Sequence, residues 1–274
     1  MRRVWAIPIL AGWLAGCGTS EVSFEESVAA EPGGRLVVDF AQGSIEVRTH
    51  ASSEVRVEAV VRGEDAGRVQ FFLDRDGRNV ELVSEIGLGL PLFPVSLEID
   101  SRIWIPEEFG LEVETTSGDV SAIGIGGDVF VDTSRAAVEI ERVRGDVEVK
   151  TSRGPIRIEQ VSGRIEARTS RSPIEIRGAR GRVRARTSRS PLFVHFLGDP
   201  AGELVSSRDA VEVRVSPEAA FELDARTSRG RVHVSAELKI TRSSSELETD
   251  VEINGGGPHL RVRTSRADIR VEVD

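Results

Sequence analysis

The chain has 274 residues, a formal net charge of −9, 39% hydrophobic and 30% charged residues, and 27 glycines. This composition is typical of a folded globular protein and excludes a disordered or fibrous chain. Cys17 is the only cysteine, so an intramolecular disulfide framework and a cysteine-based zinc site are both excluded.

Residues 1–16 have the pattern of a secretory signal peptide. Two arginines precede an apolar stretch that is too short to span a membrane. The sequence LAGC at residues 14–17 resembles a bacterial lipobox, which implies cleavage before Cys17 and acylation of its thiol and new amino terminus with diacylglycerol and palmitate-like chains. The alternative is an ordinary signal peptide that ends near a cysteine. The resemblance predicts a lipid-anchored protein of the cell envelope, and Gly18 favours the outer membrane.

The next segments are less regular. Residues 17–33 are poor in large apolar side chains, which predicts a lipidated cysteine followed by a flexible tether. Residues 34–110 contain alternating polar and apolar stretches, which predict an irregular β region that caps the following repeats or forms their first turns. An apolar loop at 86–94 is expected either to pack against this cap or to form a surface patch.

Residues 111–274 contain an internal repeat. Thr-Ser pairs recur at regular intervals, and degenerate copies follow, the last after a gap that is close to two periods. The regular pairs begin at Thr116, Thr133, Thr151, Thr169 and Thr187, and the later copies begin at Ser206, Thr227 and Thr264. Residues 238–258, before the last copy, are interpreted as an inserted loop or an irregular turn.

Each repeat contains two short strands with alternating apolar residues, and equivalent apolar positions align from copy to copy. This alignment predicts an all-β fold: a single-stranded parallel β-helix with about 18 residues per coil, wound right-handed as parallel crossovers generally are. Recurrent glycines such as Gly145 and Gly163 suit a positive φ or a tight corner, and recurrent prolines such as Pro155 precede the second strand. An antiparallel meander that closes into a sandwich is the competing interpretation.

The sequences TTSGDV at 115–120 and GDVFVDTS at 127–134 resemble the bacterial DUF4097 family of β-strand-repeat proteins, also called adhesin-domain proteins. The resemblance covers about residues 34–274. It implies a single-stranded parallel β-helix, often on secreted or envelope-attached proteins, and supplies no catalytic residues. The chain differs from the family in placing arginine after Thr-Ser.

Several chemistries are weighed against the sequence. A calcium-binding β-roll needs repeated aspartates, whereas the column of Asp128 and Asp146 continues as Arg164 and Arg182. No carboxylate pair is distinguished as the acid and base of a polysaccharide-cleaving enzyme. The four histidines share no metal-ligand spacing. We therefore expect no catalytic residue, metal or cofactor.

Arginine is the one residue type that forms a distinctive pattern. Arg135, Arg153, Arg171 and Arg189 each follow a Thr-Ser pair and should stack about 4.8 Å apart, with Arg229 and Arg266 continuing the series. The outward positions of one strand also become basic along the repeats. The candidate ligand-binding residues are Arg153, Arg168, Arg171, Arg186 and Arg189.

Guanidinium groups suit the carboxylates or phosphates of an anionic polymer, and the alternative is an ordinary solvated surface. The leading hypothesis is a non-enzymatic envelope protein that binds an anionic polysaccharide or other envelope polymer, as in adhesion. A structural or stress-regulatory lipoprotein that acts through a protein partner, with the 86–94 loop as its contact, is the second hypothesis. A polysaccharide-active enzyme is the third. Sequence-specific nucleic-acid binding is not expected, because stacking aromatic residues are scarce.

Overall fold

The computed structural model describes residues 20–87, 97–239 and 248–274. These residues form 24 strands, one three-residue 3₁₀ helix at Ala66–Arg68 and no α-helix. No helix in the described ranges is long and apolar enough to cross a membrane. Cys17, the predicted signal peptide and most of the 86–94 loop lie outside these ranges.

The strands fall into an amino-terminal, a central and a carboxyl-terminal group. The amino-terminal strands are β1 (Glu21–Ala29), β2 (Arg35–Phe40), β3 (Ser44–His50), β4 (Glu54–Arg62), β5 (Val69–Asp76), β6 (Asn79–Ile86), β7 (Glu98–Pro106), β8 (Gly110–Thr115) and β9 (Val120–Ile123). The central strands are β10 (Val129–Thr133), β11 (Val138–Val143), β12 (Val147–Lys150), β13 (Ile156–Val161), β14 (Ile165–Arg168), β15 (Ile174–Ala179), β16 (Val183–Thr187), β17 (Leu192–Phe196), β18 (Gly202–Ser206) and β19 (Val211–Val215). The carboxyl-terminal strands are β20 (Phe221–Arg226), β21 (Val232–Val234), β22 (Glu248–Ile253), β23 (His259–Thr264) and β24 (Ile269–Val273).

The strands form two sheets of twelve. Sheet A has the order β1-β4-β7-β3-β9-β11-β13-β15-β17-β19-β24-β21, and sheet B has the order β5-β6-β2-β8-β10-β12-β14-β16-β18-β23-β20-β22. One coil of the central region consists of a strand in sheet B and the next strand in sheet A. Twelve strands at about 4.8 Å give a stack roughly 53 Å long.

The central coils confirm the predicted parallel β-helix. Val129 pairs with Val147, and Ile156 pairs with Ile174, so each residue lies beside its equivalent in the next repeat. Later coils are slightly longer, as the pairing of Leu192 with Val211 shows. The alternative meander is wrong, because strands here pair in parallel with their equivalents one coil away. The right-handed winding stays a prediction.

The alternating sequence forms these strands because one side of each strand faces a narrow interior. The inward columns of the central coils consist mainly of Val, Ile, Leu and Ala, together with the corner threonines, and are almost completely buried. Close contact between coils explains the recurrent corner glycines. A Cβ on Gly163 would lie 2.3 Å from the carbonyl oxygen of Gly145, and one on Gly181 would lie 2.2 Å from that of Gly163.

The aspartates weighed as calcium ligands also have a structural task. The Asp128 carboxylate accepts a hydrogen bond from the Asp146 backbone N–H at 2.9 Å, and Asp146 accepts one from the Arg164 N–H at 2.8 Å. That second bond is the main cause of the lowered pKa of Asp146. Each aspartate therefore holds the corner of the next coil.

At both ends of the stack, spatial order departs from chain order. The coil of β2 and β3 lies between β6/β7 and β8/β9, and the coil of β23 and β24 lies between β18/β19 and β20/β21. Arg226 consequently pairs directly with Arg263. The interpretation of the gap between Thr227 and Thr264 as two periods is therefore wrong. The gap separates two neighbouring coils, because β22, which lies within it, forms no coil and is added as the outermost strand of sheet B.

Three segments differ from their predictions. The expected flexible tether at 17–33 contains β1, which pairs antiparallel with β4 along its whole length. The loop expected at 238–258 contains β22, which pairs antiparallel with β20. The repeat is regular up to Val215 but not through residue 274, because the coils beyond that residue stack out of order.

Candidate ligand-binding corner

The Thr-Ser-Arg sequences form the corner that connects sheet B to sheet A. In each central coil the threonine lies at the end of the sheet B strand, and the sheet A strand begins a few residues later. Thr133, Thr151, Thr169 and Thr187 are buried, whereas the serine and arginine that follow each of them are exposed. The corner therefore points its threonine inward and its arginine outward.

The buried hydroxyls connect one corner to the next. The Thr187 hydroxyl donates to the Ser172 carbonyl of the preceding coil at 3.3 Å, and the Thr264 hydroxyl donates to the Asp209 carbonyl at 3.0 Å. Within one corner, the Thr151 hydroxyl accepts a hydrogen bond from the Gly154 N–H at 3.1 Å. These bonds satisfy buried polar groups and hold the corner backbone in one geometry.

Seven arginines follow one another on consecutive corners, and we call them the corner column. Strand pairing brings the corner of β23/β24 next to that of β18/β19, and the corner of β20/β21 after it. At about 4.8 Å per coil the column extends roughly 29 Å. Its members in spatial order are Arg135, Arg153, Arg171, Arg189, Arg208, Arg266 and Arg229.

All seven arginines are exposed, and within residues 20–87, 97–239 and 248–274 none of their side chains has a hydrogen-bond or ion-pair partner. Seven positive charges in one row make this edge basic, although the protein is acidic overall. Such an edge favours the binding of a polyanion.

A second basic column runs along sheet B, one residue before the threonines, and we call it the sheet column. Parallel pairing aligns its members, which are in spatial order Lys150, Arg168, Arg186, Val205, Arg263 and Arg226. Towards the amino-terminal end the same positions become acidic, with Asp132 and Glu114. The basic surface is therefore confined to the later coils.

Unlike the corner column, the sheet column is neutralised by carboxylates. Arg168 forms an ion pair with Glu166. Arg186 contacts Glu203 at 2.6 Å and, by this hydrogen bond, lowers the pKa of the Glu203 carboxyl. Lys150 contacts Glu148 at 2.6 Å, which raises the pKa of the lysine.

The carboxyl-terminal end of the sheet column contains the strongest charge cluster. Asp224 is 8% exposed and accepts two hydrogen bonds from Arg263, at 2.8 and 2.6 Å. Arg226 lies 3.2 Å from the same carboxylate, and Arg261 lies 3.5 Å from it. Mainly through the hydrogen bonds from Arg263, the pKa of Asp224 falls from 3.8 to about 2.

The five predicted site residues thus divide into two groups. Arg153, Arg171 and Arg189 belong to the corner column without partners, whereas Arg168 and Arg186 belong to the ion-paired sheet column. Sequence reasoning missed Arg208, although Ser206-Ser207-Arg208 continues the repeat after a slightly longer step. It also missed the recurrence of Arg-Thr-Ser-Arg at 168–171, 186–189, 226–229 and 263–266, which places both columns in four coils. In the described ranges, no group of three or more His, Cys, Asp or Glu side chains could hold a metal ion.

A family model matches most of the chain. The model for "Toastrack DUF4097" aligns with residues 34–272. The chain belongs to the Toastrack DUF4097 family. This confirms the family predicted from the TTSGDV and GDVFVDTS sequences, and the match covers both the permuted ends and the central coils.

Three solved structures of low sequence identity are similar to this chain. A "putative adhesin" from Parabacteroides distasonis is 10% identical with a TM-score of 0.40, covering 92% of this chain and 97% of its own. A "putative adhesin" from Bacteroides fragilis is 10% identical with a TM-score of 0.35, covering 92% and 98%. A "putative cell adhesion protein" from Clostridium sporogenes is 9% identical with a TM-score of 0.32, covering 92% and 100%. No curated protein matches the chain.

Proposed function

We propose that the protein is a non-enzymatic, lipid-anchored cell-envelope protein that binds an anionic polymer of the envelope or extracellular matrix along its corner column. The observation that carries this proposal is the row of seven exposed arginines without carboxylate partners among the described residues. One positive charge per coil suits a linear polyanion that lies parallel to the long axis of the stack.

The rigidity of the corner also supports polymer binding. The threonine hydroxyls and the backbone hydrogen bonds between coils, such as that from the Arg153 N–H to the Ser134 carbonyl at 3.1 Å, fix the origin of each side chain. Only the arginine side chains would have to become ordered when a polymer binds. That limits the conformational entropy lost on binding.

The carboxylates of the sheet faces support a non-enzymatic role. Many of them form ion pairs with arginines of the same strand, as Glu175 does with Arg177, or of a neighbouring strand, as Glu112 does with Arg35 at 2.8 Å. Carboxylates in such ion pairs balance the charge of a solvated sheet.

Two variants of equal charge test the polymer proposal. The corner variant carries Arg153→Gln, Arg171→Gln and Arg189→Gln, and the control carries Arg157→Gln, Arg177→Gln and Arg214→Gln on sheet A. Retention of each full chain is measured on immobilised polygalacturonate, polyphosphate and duplex DNA. We expect the corner variant to lose at least about ten-fold in affinity for the polymer that the wild type binds, and the control to lose less than two-fold.

Two results would count against the proposal. Equal losses in both variants would mean that net charge alone attracts the polymer, and the corner column would then have no special role. A wild-type chain that binds none of the three polymers would remove the polymer function. That result would favour a protein partner, for which the segment around 86–94 is the predicted contact.

The lipid anchor has its own test. Replacing Cys17 with alanine should move the protein from the membrane fraction to the soluble fraction and abolish incorporation of a labelled fatty acid, because acyl chains contribute about 0.8 kcal/mol per buried CH₂. A Cys17→Ala protein that stays membrane-bound and acylated would overturn the lipid-anchored part of the proposal while leaving the corner column untouched.

A further inference from the structure

A groove lies beside the two basic columns over the last coils. The groove has a volume of about 400 Å³ and lies between the corner serines Ser207, Ser265 and Ser228 on one side and Arg263 and Arg226 on the other. Val205 lies on the floor of the groove, where the sheet column has a valine between Arg186 and Arg263. A valine is shorter than an arginine, so the surface is recessed at this position of the sheet column.

The two walls of the groove differ in charge. On the sheet wall, Arg263 is held by Asp224, and Arg226 contacts Glu248 at 2.7 Å. The positive charges of that wall are therefore balanced, and the exposed Glu248 carboxylate can accept hydrogen bonds in addition to the one that Arg226 makes. On the corner wall, the lining serines are each followed directly by an arginine, and these arginines, Arg208, Arg266 and Arg229, have no carboxylate partner within the described residues.

The serines of the corner wall add neutral hydrogen-bonding groups to the groove. Ser207, Ser265 and Ser228 are exposed, and in the described part of the chain no hydrogen bond of their hydroxyls is found. Each hydroxyl donates one hydrogen bond and accepts others. The groove therefore offers hydroxyls beside the corner arginines on one side, and a carboxylate acceptor on the other.

We infer that this groove is a saccharide subsite that holds one or more acidic sugar units of a polyuronate chain. A uronate ring presents a carboxylate to Arg208, Arg266 and Arg229, and its ring hydroxyls donate to Glu248 and the serines. A polyphosphate carries the negative charge but no hydroxyl donors, so it makes none of these additional hydrogen bonds and brings its charge close to Glu248. The inference rests on the proposed function and narrows its ligand to an acidic polysaccharide.

The substitution Val205→Arg separates the shape of the groove from its charge. It completes the sheet column and adds one positive charge, but it fills the floor of the groove. Binding of polygalacturonate and of polyphosphate of matched total charge is measured by calorimetry on the full chain in mild detergent. Ser121→Arg, which adds the same charge at an outward position of sheet A, is the control.

We expect the wild type to prefer polygalacturonate, and Val205→Arg to weaken polygalacturonate binding about five-fold or more while leaving polyphosphate binding equal or tighter. The control should change neither polymer by more than about two-fold. A charge-neutral variant, Ser265→Ala, leaves the fold intact because its side chain is exposed. It should weaken polygalacturonate binding about three-fold and leave polyphosphate binding unchanged.

The outcomes keep the two proposals apart. If Val205→Arg tightens the binding of both polymers, the groove is not a saccharide subsite, although the corner column still binds polyanions. A wild type that prefers polyphosphate overturns the inference in the same way. If neither polymer binds the wild type, the inference and the proposed function both fail.

Discussion

The central coils and the two ends of the stack bury their apolar side chains in different ways. From β10 to β19 the chain repeats one coil in sequence order, and its interior is filled mainly by Val, Ile, Leu and Ala, with Phe196 the one buried phenylalanine. At each end a coil is inserted out of order, and larger side chains are more frequent in the interior, where Phe40, Phe109 and Phe221 are buried. The outer strands there run antiparallel, as β4 and β22 do.

This difference shows how a solenoid can be terminated. A coil that simply ended would expose a row of unpaired N–H and C=O groups on each sheet, and such an edge promotes aggregation. Antiparallel strands form three of the four edges of the described sheets, namely β1, β5 and β22, whereas β21 at the fourth edge pairs in parallel. On the outermost strand β1, Glu26 points towards the protein interior, and partial burial, followed by the charge of Asp74, raises the pKa of its carboxyl. An inward-pointing charge of this kind disfavours pairing with another chain.

The inserted coil of β23 and β24 also places the carboxyl-terminal end of the chain between two other coils. Strands β23 and β24 have partners on both sides. Deleting residues 258–274 should therefore remove the completely buried Leu260, Val262, Ile269 and Val271 and lower the free energy of unfolding by more than about 5 kcal/mol. Hydrogen exchange should show lost protection in both β18 and β20.

The matched deletion removes residues 20–30, which contain β1. Among the described strands, β1 is the outermost of sheet A and pairs only with β4. Protection of the central coils should therefore persist, and the loss of stability should be much smaller. If the two deletions have equal effects, the inserted coil is no more important than an ordinary edge strand, and the comparison fails.

The second largest effect is expected in the central corners. A Cβ at Gly163 would lie 2.3 Å from the Gly145 carbonyl oxygen, and backbone atoms of both coils would have to move apart. Gly163→Ala should therefore destabilise the protein by about 3 kcal/mol. Gly67→Ala, near the amino-terminal end, meets no atom within 4 Å and is the control. Urea unfolding of both variants measures the difference, and equal midpoints would contradict the close packing of the central corners.

The third effect is the pH dependence of the carboxyl-terminal end. The pKa of Asp224 is lowered from 3.8 to about 2, so its ionised form stabilises the folded protein. This contribution, about 2 kcal/mol, is complete above the ordinary pKa and is lost as the pH falls from about 4 to 2. Asp224→Asn should therefore lower the free energy of unfolding at pH 7 and have much less effect at pH 2.

Glu203, in the central coils, provides a comparison for Asp224. The pKa of Glu203 is also lowered, by Arg186, but its side chain is more exposed than that of Asp224. Glu203→Gln should therefore have a smaller effect at pH 7. If Glu203→Gln destabilises the protein more than Asp224→Asn does, the charge cluster is not a special feature of the end.

The smallest effect concerns the corner that connects sheet A back to sheet B. Its positions Gly124, Arg142, Gln160 and Gly178, which recur once per coil, all have positive φ angles. A side chain other than glycine costs about 1 kcal/mol or more in this conformation. Gln160→Gly should therefore raise the free energy of unfolding by about 0.5 kcal/mol, after the entropy of the added glycine is subtracted. A lowered thermal midpoint would contradict this.

The sequence predicted the structure correctly where consecutive repeats of the chain are also adjacent coils of the stack. The regular spacing of the Thr-Ser pairs predicted the coils, their inward columns and the stacking of Arg153, Arg171 and Arg189. It could not predict the order of the end coils, because every coil presents similar apolar columns to its neighbours. Only contacts between distant residues, such as that of Arg226 with Arg263, decide which coils meet.

Two other features were not predicted from the sequence: the ion pair of Arg186 with Glu203, and strand β1. The ion pair of Arg186 with Glu203 depends on a longer step between these two coils, so the sequence repeat alone did not distinguish Arg186 from the unpaired Arg189. The strand β1 was overlooked because its composition is polar. The alternation of Val22, Phe24 and Val28 was the signal that could have found it.

The corner column is the central claim, and the salt dependence of polymer binding tests it most directly. The logarithm of the association constant for polygalacturonate is measured against the logarithm of salt concentration. Measurements compare the wild type, the corner variant and the sheet A control. The slope should become shallower by about 2 to 3 in the corner variant, because three contacts that release counterions are lost, and should stay unchanged in the control. Parallel slopes for all three proteins would contradict binding by the corner column.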